Sequence, residues 1–170
     1  MSWILAVLLA AILLIVLALI AAKKRSAGNV GFPYTSRNPL FSEAERSFLG
    51  VLDKAVGSEH RVFGKVRVAD IAKVKPGLNN SARQGALNKI ASKHFDYVVC
   101  RHSDLSVVCV VELNDKSHTS KRAQARDNFI DGVCDTIGLP LLKVPAKRSY
   151  FVDDISASFM EAIQKSVAAN

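Results

Sequence analysis

The chain has 170 residues, 49% of them hydrophobic, and a formal net charge of +8 at pH 7. After the first 25 residues about 145 remain, which suits one domain with a core of its own and argues against two domains. The three cysteines are an odd number without CxxC spacing, so neither a disulfide framework nor a zinc site is indicated. The positive charge is compatible with a polyanion or with an anionic membrane surface.

The first predicted element is an apolar run from Trp3 to Ala22, some 20 residues without a charged side chain. Because about 20 apolar residues in a helix match the roughly 30 Å hydrocarbon core of a bilayer, residues 1–22 are predicted to be a transmembrane anchor. Lys23, Lys24 and Arg25 follow at once, so the positive-inside rule predicts a domain in the cytoplasm. A cleaved signal peptide is the alternative, but it usually has a charged start and a shorter apolar core of about 7–15 residues.

A basic juxtamembrane segment and linker are predicted over residues 23–41, because Gly, Ser, Asn and Pro are frequent there. The folded domain is then predicted over residues 42–170. Its first helix is expected to begin at Ser42, which forms a capping-box pattern with Glu45. Apolar residues recur at helical spacing from Phe48 to Val56 and support this helix.

The middle of the domain is predicted to contain three strands and one helix. A strand is expected near residues 61–68, and a loop over 75–80 precedes a helix that Ser81 caps and that runs to about Ala91. Two apolar, β-branched segments, Phe95–Cys100 and Ser106–Leu113, are separated by a polar turn and predict an antiparallel hairpin.

The last predicted elements are a helix, a strand and a helix. The first helix spans about 120–137 and ends at Gly138, a residue typical of a helix C-cap. A strand over 141–144 and a final helix near 153–167 follow. The order of elements predicts an α/β domain, a central mixed sheet flanked by helices, preceded by one transmembrane helix.

Two carboxylates occupy strands that are otherwise apolar, Asp96 at the start of the first hairpin strand and Glu112 at the end of the second. A buried charge needs a partner, a metal or water, because burying it alone is costly. If the turn is centred near Asp104, Asp96 faces Glu112, and their oxygens can share a divalent cation. The alternative is that both lie at strand ends that reach solvent.

Glu45 continues the apolar stripe of the first domain helix, so its carboxylate is expected to point toward the core at the helix start. A capping-box glutamate, however, already satisfies a backbone N–H group and needs no further role. Both interpretations stay open from the sequence alone.

Basic residues occupy the first turns of the helix at 120–137. Arg122 and Arg126 share a stripe with apolar residues and, with Lys121, are candidates to hold phosphates beside the carboxylates. The alternative is that each Arg buries its aliphatic stem and extends its charged end into solvent.

The polar segment from Asn114 to His118 directly follows Glu112, at a position where a loop leaving a sheet edge commonly carries function. His118 is a candidate general base or metal ligand, because its ordinary pKa of about 6.5 suits proton transfer near neutrality. A single histidine in a loop is otherwise a common surface residue.

Four segments resemble the bacterial domain-of-unknown-function family numbered 2726: Lys93–Cys100, Val110–His118, Arg126–Asp127 and Gly138–Val144. That family is similar to a branch of the PD-(D/E)xK, or restriction-endonuclease-like, superfamily, with local similarity to very-short-patch repair endonucleases. The resemblance covers most of Phe41–Val144.

The resemblance implies a restriction-endonuclease-like fold in which Asp96 and Glu112 are the acidic metal ligands and Glu45 contributes a third. Mg²⁺ would then polarise a phosphodiester and activate water for hydrolysis. His118 matches a histidine that assists catalysis in the repair-endonuclease-like branch. A bacterial protein of this kind is expected to be a single-pass protein of the inner membrane, anchored through residues 3–22, with nucleic acid as its substrate.

The sequence departs from the superfamily at Asn114, where a lysine is expected two residues after Glu112. Lys116, Lys93 or Lys65 would have to stabilise the transition state from another direction, or no lysine does so. Three functions therefore remain: a membrane-tethered Mg²⁺-dependent nuclease, an inactive module of the same fold that binds nucleic acid or phosphate, and a membrane-tethered interaction scaffold.

Overall fold

The structure is a computed structural model that describes residues 2–26, 31–114 and 121–168. Within its helices, the side chains of residues 2, 21–26, 122 and 166–168 are not among the described groups. The chain forms two compact units, Met1–Leu40 and Phe41–Asn170, and each is described by itself.

The first unit contains one long helix, α1, which spans Ser2–Ser26. Its stretch Trp3–Ile20 has a mean hydropathy of 3.3 and is exposed along its whole length. A helix of this length and composition can cross a membrane, although a signal sequence near an N-terminus has the same character. The helix extends through the basic residues 23–25, which the sequence prediction had assigned to the linker.

The second unit begins with helix α2 (Glu43–Ala55), strand β1 (His60–Arg67) and the short helix α3 (Val68–Ile71). The predicted capping box is present, because Ser42 and Glu45 each accept the other's backbone N–H group. The predicted strand had included Val68, but this residue is instead the first residue of α3 and is fully buried.

Helix α4 (Asn80–Ala91) is followed by the hairpin of β2 (His94–Arg101) and β3 (Val107–Asn114). The prediction that Ser81 caps α4 is wrong, because the side chain of Asn79 accepts the Ala82 N–H group and makes Asn79 the N-cap. Ser and Asn have similar capping propensities, so composition alone did not separate the two positions.

The remaining elements are α5 (Lys121–Ile137), β4 (Leu141–Pro145) and α6 (Val152–Ala168). Gly138 follows α5 with φ 67°, the left-handed conformation that the predicted C-cap requires. These boundaries agree with the sequence prediction to within a residue or two.

The four strands form one mixed sheet in the order β1-β2-β3-β4. Strand β2 pairs antiparallel with both β1 and β3, while β3 and β4 are parallel, with α5 as the crossover between them. Helices flank both faces, so the predicted α/β class with a central mixed sheet is confirmed.

Each face of the sheet has its own apolar core. On one face α2 and α6 contribute Phe48, Leu52 and Phe159, which pack with Tyr97 and other strand residues. On the other face α3, α4 and α5 cover the second core, which consists of Val68, Ala72, Ile90, Phe95, Val98, Cys100, Val110, Ile130 and Cys134. The three cysteines of the sequence are all free and buried.

Candidate functional site

Asp96 and Glu112 are the buried charged residues of the part of the chain that the structure describes, with 8% and 2% of their surfaces exposed. The hairpin has the predicted register, since Tyr97 pairs with Val111 and Val98 with Val110. Continuing this register by one residue brings Asp96 opposite Glu112 at the same end of the sheet. The two carboxylates therefore lie together.

Each carboxylate is held by the backbone of the neighbouring strand. The Asp96 N–H group donates to Oε1 of Glu112 at 3.1 Å, and the Leu113 N–H group donates to Oδ2 of Asp96 at 3.1 Å. Because both acceptors are fixed by main-chain donors, their positions follow from the sheet itself. The alternative that both carboxylates reach solvent at the strand ends does not describe them, because neither residue is exposed.

Glu45 reaches the same place from the first turn of α2. One of its oxygens, Oε2, accepts the Ser42 N–H and hydroxyl groups, while Oε1 accepts a hydrogen bond from Nζ of Lys65 at 2.5 Å. The hydroxyl of Tyr97 donates to the Glu45 carbonyl oxygen at 2.7 Å and ties the helix to β2. Glu45 thus serves as a capping residue and also points into the site.

Lys65 lies between two of these carboxylates. Its Nζ is 2.5 Å from Oε1 of Glu45 and 3.6 Å from Oδ1 of Asp96. Its backbone φ is 56°, a left-handed conformation that costs an L-residue roughly 1–2 kcal/mol. A strained non-glycine residue at a cluster of charges is typical of a functional site.

Arg126, one turn into α5, supplies the second cation. Its Nη2 is 2.8 Å from Oε2 of Glu112 and 3.6 Å from Oδ1 of Asp96. The sequence prediction placed Arg126 beside phosphate, whereas in this structure it pairs with the two carboxylates. Its side chain remains 43% exposed, so it borders solvent.

Three of these side chains, Glu45, Asp96 and Arg126, border an open cavity of about 290 Å³. The lining comes from the start of α2, the start of β2, the end of β3, the first turns of α5 and the segment after β4: Ser42, Ala44, Glu45, Asp96, Leu113, Asn114, Ala123, Arg126, Asp127 and Ala146. Asn114, at the position of the expected lysine, is among them. An open cavity with this polar lining can admit a small polar or charged group.

The cluster carries an excess of negative charge. Among the described side chains, Glu45, Asp96 and Glu112 form ion pairs with two cations, Lys65 and Arg126, which leaves one negative charge on these five groups when all are ionised. Burial, together with the nearby Asp96 carboxylate, raises the pKa of Glu112 to about 7 even though Arg126 favours its charged form.

Glu45 shows the opposite effect. Burial of its side chain opposes ionisation, but the hydrogen bonds from Lys65 and Ser42 outweigh it and lower the pKa of Glu45 below its ordinary value. Glu45 is therefore a carboxylate at neutral pH, whereas Glu112 is close to half-protonated. The negative charge that the two cations do not balance therefore lies on Asp96 and Glu112, since Glu45 is paired with Lys65.

The donor atoms are of the type that a hard divalent cation binds, namely carboxylate oxygens. Among the described residues, however, no three His, Cys, Asp or Glu side chains are arranged as a ready metal site. Asp96 and Glu112 would have to hold such an ion between them, while Glu45 is engaged by Lys65. The residues thus fit a two-carboxylate site.

The other predicted site residues are distributed differently. His118 and Lys116 lie in 115–120, outside the described residues, and so does the side chain of Arg122. Lys121 is exposed at the start of α5. Lys93 is directed elsewhere, with its Nζ 4.6 Å from the centroid of the Phe129 ring.

The comparisons with known proteins give one match. A family model with the description "Protein of unknown function (DUF2726)" matches residues 37–163. No curated protein and no solved structure matches the chain significantly.

Proposed function

The chain belongs to the DUF2726 family of proteins of unknown function, and from that premise we propose that it is a membrane-anchored, Mg²⁺-dependent nuclease of the restriction-endonuclease-like class. The observation that carries the proposal is the cluster of Glu45, Asp96 and Glu112 at one end of the sheet, where Glu45 and Asp96 line an open cavity. Carboxylates from a helix start and from two adjacent strands are what the PD-(D/E)xK resemblance predicts.

The order of elements supports the same assignment. Helix α2 carries Glu45, strand β2 carries Asp96 and strand β3 carries Glu112, and α5 then crosses to the parallel strand β4. An acidic site on rigid strands keeps its geometry when substrate binds. Asp96 and Glu112 would hold the metal, which when bound supplies a Lewis acid for the phosphodiester.

In the proposed site, Lys65 supplies the positive charge of the lysine that the superfamily has at the position of Asn114. Its ammonium group comes from β1 instead of β3, and it lies 3.6 Å from Asp96. A cation held at this distance can stabilise the charge that develops on a phosphate in the transition state. The strained φ of Lys65 is explained if this position of its side chain is required for function.

In the proposed reaction Arg126 can pair with the carboxylates of Glu112 and Asp96 or with a phosphate of the substrate. Without a metal it balances the charge of Glu112 and Asp96, and its 43% exposed side chain can turn toward a phosphate at the mouth of the cavity. Lys121 is exposed at the start of the same helix and adds positive charge to that end of α5. Lys116, Arg122 and His118, the proposed proton carrier, complete the proposal from the sequence.

The proposed location rests on the apolar helix of the first unit. If α1 crosses the membrane, the basic residues 23–25 place the domain in the cytoplasm, where nucleic acid is accessible. The bacterial inner membrane is the corresponding membrane for a member of this bacterial family.

A second function, a nucleic-acid or phosphate-binding module without activity, is favoured by Asn114 and by the pairing of both cations with carboxylates. Lys65 and Arg126 already neutralise much of the charge of the cluster, as a metal ion would. In that case Arg126, whose side chain is 43% exposed, would bind phosphate at the cavity mouth, and hydrolysis would not follow.

The proposal is tested with the full chain in nonionic detergent, titrated with Mg²⁺ and Mn²⁺. The melting temperature is followed by far-UV circular dichroism, because the single tryptophan, Trp3, lies in α1 and does not report on the domain. A metal bound only to the folded state stabilises it by about 2.7 kcal/mol at a concentration of 100 Kd. Cleavage of single- and double-stranded DNA and RNA is measured in the same samples.

The decisive variant is Asp96→Asn, which keeps an acceptor for the Leu113 N–H group but removes the charge. The matched control is Glu59→Gln on an exposed turn. Metal-dependent stabilisation and cleavage that Asp96→Asn abolishes and Glu59→Gln retains would support the nuclease. Stabilisation without cleavage would favour the binding module, and the absence of both responses would refute a metal-dependent function.

A further inference from the structure

A second, larger cavity lies between α4 and α5, on the face of the sheet that these helices cover. Its volume is about 820 Å³, and it is lined mainly by apolar side chains. The largest of these belong to the loop after α3 and to α5: Val74, Leu78, Phe129, Val133 and Ile137. We call this cavity the α4/α5 groove.

Small residues on the two helices leave the space between them unfilled. Gly85 on α4 and Gly132 on α5 both line the groove, and a Cβ atom added to either would meet no atom within 4 Å. Helix α4 is also held weakly, since Ile90 is its one buried residue. The groove is therefore open along its length.

The groove exposes apolar surface. Leu78 and Ile137 are large hydrophobic residues that remain 48% and 41% exposed at its edge. Exposed apolar surface of this kind, gathered in one concavity, is typical of a binding site in a soluble domain.

The charges at the groove have one sign. Lys73, Lys75 and Lys89 line it, and no aspartate or glutamate is among its described lining residues. The only other polar side chains there are those of Asn128 and Thr136, and the Thr136 hydroxyl donates to the Gly132 carbonyl oxygen of its own helix. The groove thus combines an apolar floor with a cationic rim.

We propose that the α4/α5 groove binds a long-chain fatty acid, with its acyl chain on the apolar floor and its carboxylate on the lysines. The size of the groove favours this occupant, because cavities of about 300–1,000 Å³ hold small molecules rather than folded partners. The rim supplies three ammonium groups for one carboxylate. The proposal is independent of the nuclease, since none of the groove residues lines the acidic cavity.

The test uses the full chain in phosphatidylcholine nanodiscs and a palmitate analogue with a terminal diazirine. After irradiation, labelled peptides are mapped by mass spectrometry, and labelling of α4 and α5 is expressed relative to that of α1. Labelling of α1 reports the probe dissolved in the bilayer, so the ratio isolates binding to the groove.

The decisive variant is Gly132→Leu, which fills the groove where the structure has open space. Helix stability should not suffer, because leucine has a higher helix propensity than glycine. Gly50→Leu is the matched control, since Gly50 lies on α2 and its added Cβ also meets no atom within 4 Å. We expect about a tenfold lower ratio for Gly132→Leu, equivalent to 1.4 kcal/mol of binding free energy, and no change for Gly50→Leu.

A second arm tests the charge. The triple variant Lys73→Gln, Lys75→Gln, Lys89→Gln should lower the ratio, and the methyl ester of the probe should label the groove weakly in the unmodified chain. Equal labelling by acid and ester would overturn the carboxylate site.

Two other outcomes would overturn the proposal as a whole. One is that the probe does not label the groove specifically, which would show as labelling confined to α1 or as labelling of α4 and α5 that Gly132→Leu leaves unchanged. The other is a dimer of the chain that Gly132→Leu abolishes while the probe does not label the groove, because a second copy would then be the occupant.

Discussion

Asp96 and Glu112 are joined through the hairpin backbone, since the Asp96 N–H group donates to the Glu112 carboxylate at 3.1 Å. The Asp96 carboxylate in turn accepts the N–H group of Leu113, the residue after Glu112, at 3.1 Å. Neither side chain can move without breaking a main-chain hydrogen bond. The two carboxylates therefore stay adjacent despite their repulsion. Burial and this repulsion together raise the pKa of Glu112.

The first prediction concerns the pH dependence of stability. Because burial raises the pKa of Glu112 from 4.5 to about 7, the folded state retains a proton that the unfolded state releases between these values. The contribution of Glu112 is fully present below pH 4.5 and is lost as pH rises through about 7. Its loss should cost on the order of 2–3 kcal/mol.

The measurement is urea unfolding at pH 5 and pH 8, followed by circular dichroism. Glu112→Gln keeps an acceptor for the Asp96 N–H group and cannot ionise, so its free energy of unfolding should fall less between the two pH values than that of the unmodified chain. The exposed Glu59→Gln is the control. An equal pH dependence in Glu112→Gln and the unmodified chain would contradict a perturbed Glu112.

Much of the fold follows from local patterns in the sequence. The capping box at Ser42, the glycine at 138 and the two apolar hairpin strands each depend on neighbouring residues only, and all three are present. The register that joins Asp96 to Glu112 is also the predicted one, although the pairing shifts between Val99 and Cys100, so the turn alone does not fix it.

The rest of the site depends on contacts that no local pattern encodes. Lys65 reaches the carboxylates from β1, which pairs with β2, and Arg126 reaches them from the crossover helix α5. The sequence identified Lys65 as one of three lysines but gave no reason to choose it. Arg126 was predicted to hold phosphate beside the carboxylates because it lies on the basic first turns of its helix, and no local pattern pairs it with Glu112.

The second prediction concerns Gly64, which Phe41 covers. A Cβ atom at residue 64 would meet Cε1 and Cζ of the Phe41 ring well below contact distance, so Gly64→Ala must displace this ring. Phe41 stacks on Tyr97 with ring centroids 5.9 Å apart, and that contact would be disturbed. We expect a loss of about 1–3 kcal/mol in the free energy of unfolding.

Gly50→Ala is the matched control for this substitution. Gly50 lies on α2, its added Cβ meets no atom within 4 Å, and alanine should stabilise the helix by roughly 0.5–1 kcal/mol. Opposite signs for the two glycine substitutions are therefore expected in urea unfolding. A neutral or stabilising Gly64→Ala would show that Phe41 has room to move.

The third prediction concerns the hydroxyl of Tyr97, which donates to the Glu45 carbonyl oxygen at 2.7 Å. Burial, together with the nearby carboxylates of Glu45 and Asp96, raises the pKa of Tyr97, so the hydroxyl keeps its proton and remains a donor at neutral pH. Tyr97→Phe removes the hydrogen bond and should cost about 1 kcal/mol. Tyr34→Phe, at an exposed tyrosine of the first unit, should leave the free energy of unfolding unchanged.

The last prediction concerns Lys65, whose removal should have the opposite pH signature to that of Glu112. Although burial opposes ionisation of Glu45, hydrogen bonds from Lys65 and Ser42 lower its pKa below 4.5. The stability that this pair contributes is present above pH 4.5 and is lost as pH falls through the folded pKa of Glu45.

Lys65→Met keeps the aliphatic stem and removes the charge. Since the Glu45 and Asp96 side chains are only 18% and 12% exposed, we expect a loss of about 2 kcal/mol at pH 7, between the values for surface and buried ion pairs. The loss should shrink below pH 4.5. Lys54→Met, at an exposed lysine in the last turn of α2, should change the stability by only a few tenths of a kcal/mol.

Activity then separates a structural from a catalytic role of Lys65. If the ammonium group stabilises the transition state, Lys65→Met should lower kcat by about 10²-fold or more under conditions where the variant is fully folded. Lys65→Arg keeps the positive charge and should restore part of kcat. Unchanged kcat in folded Lys65→Met would show that Lys65 is only a structural partner of Glu45. The site would then act with neither Lys65 nor a lysine at position 114.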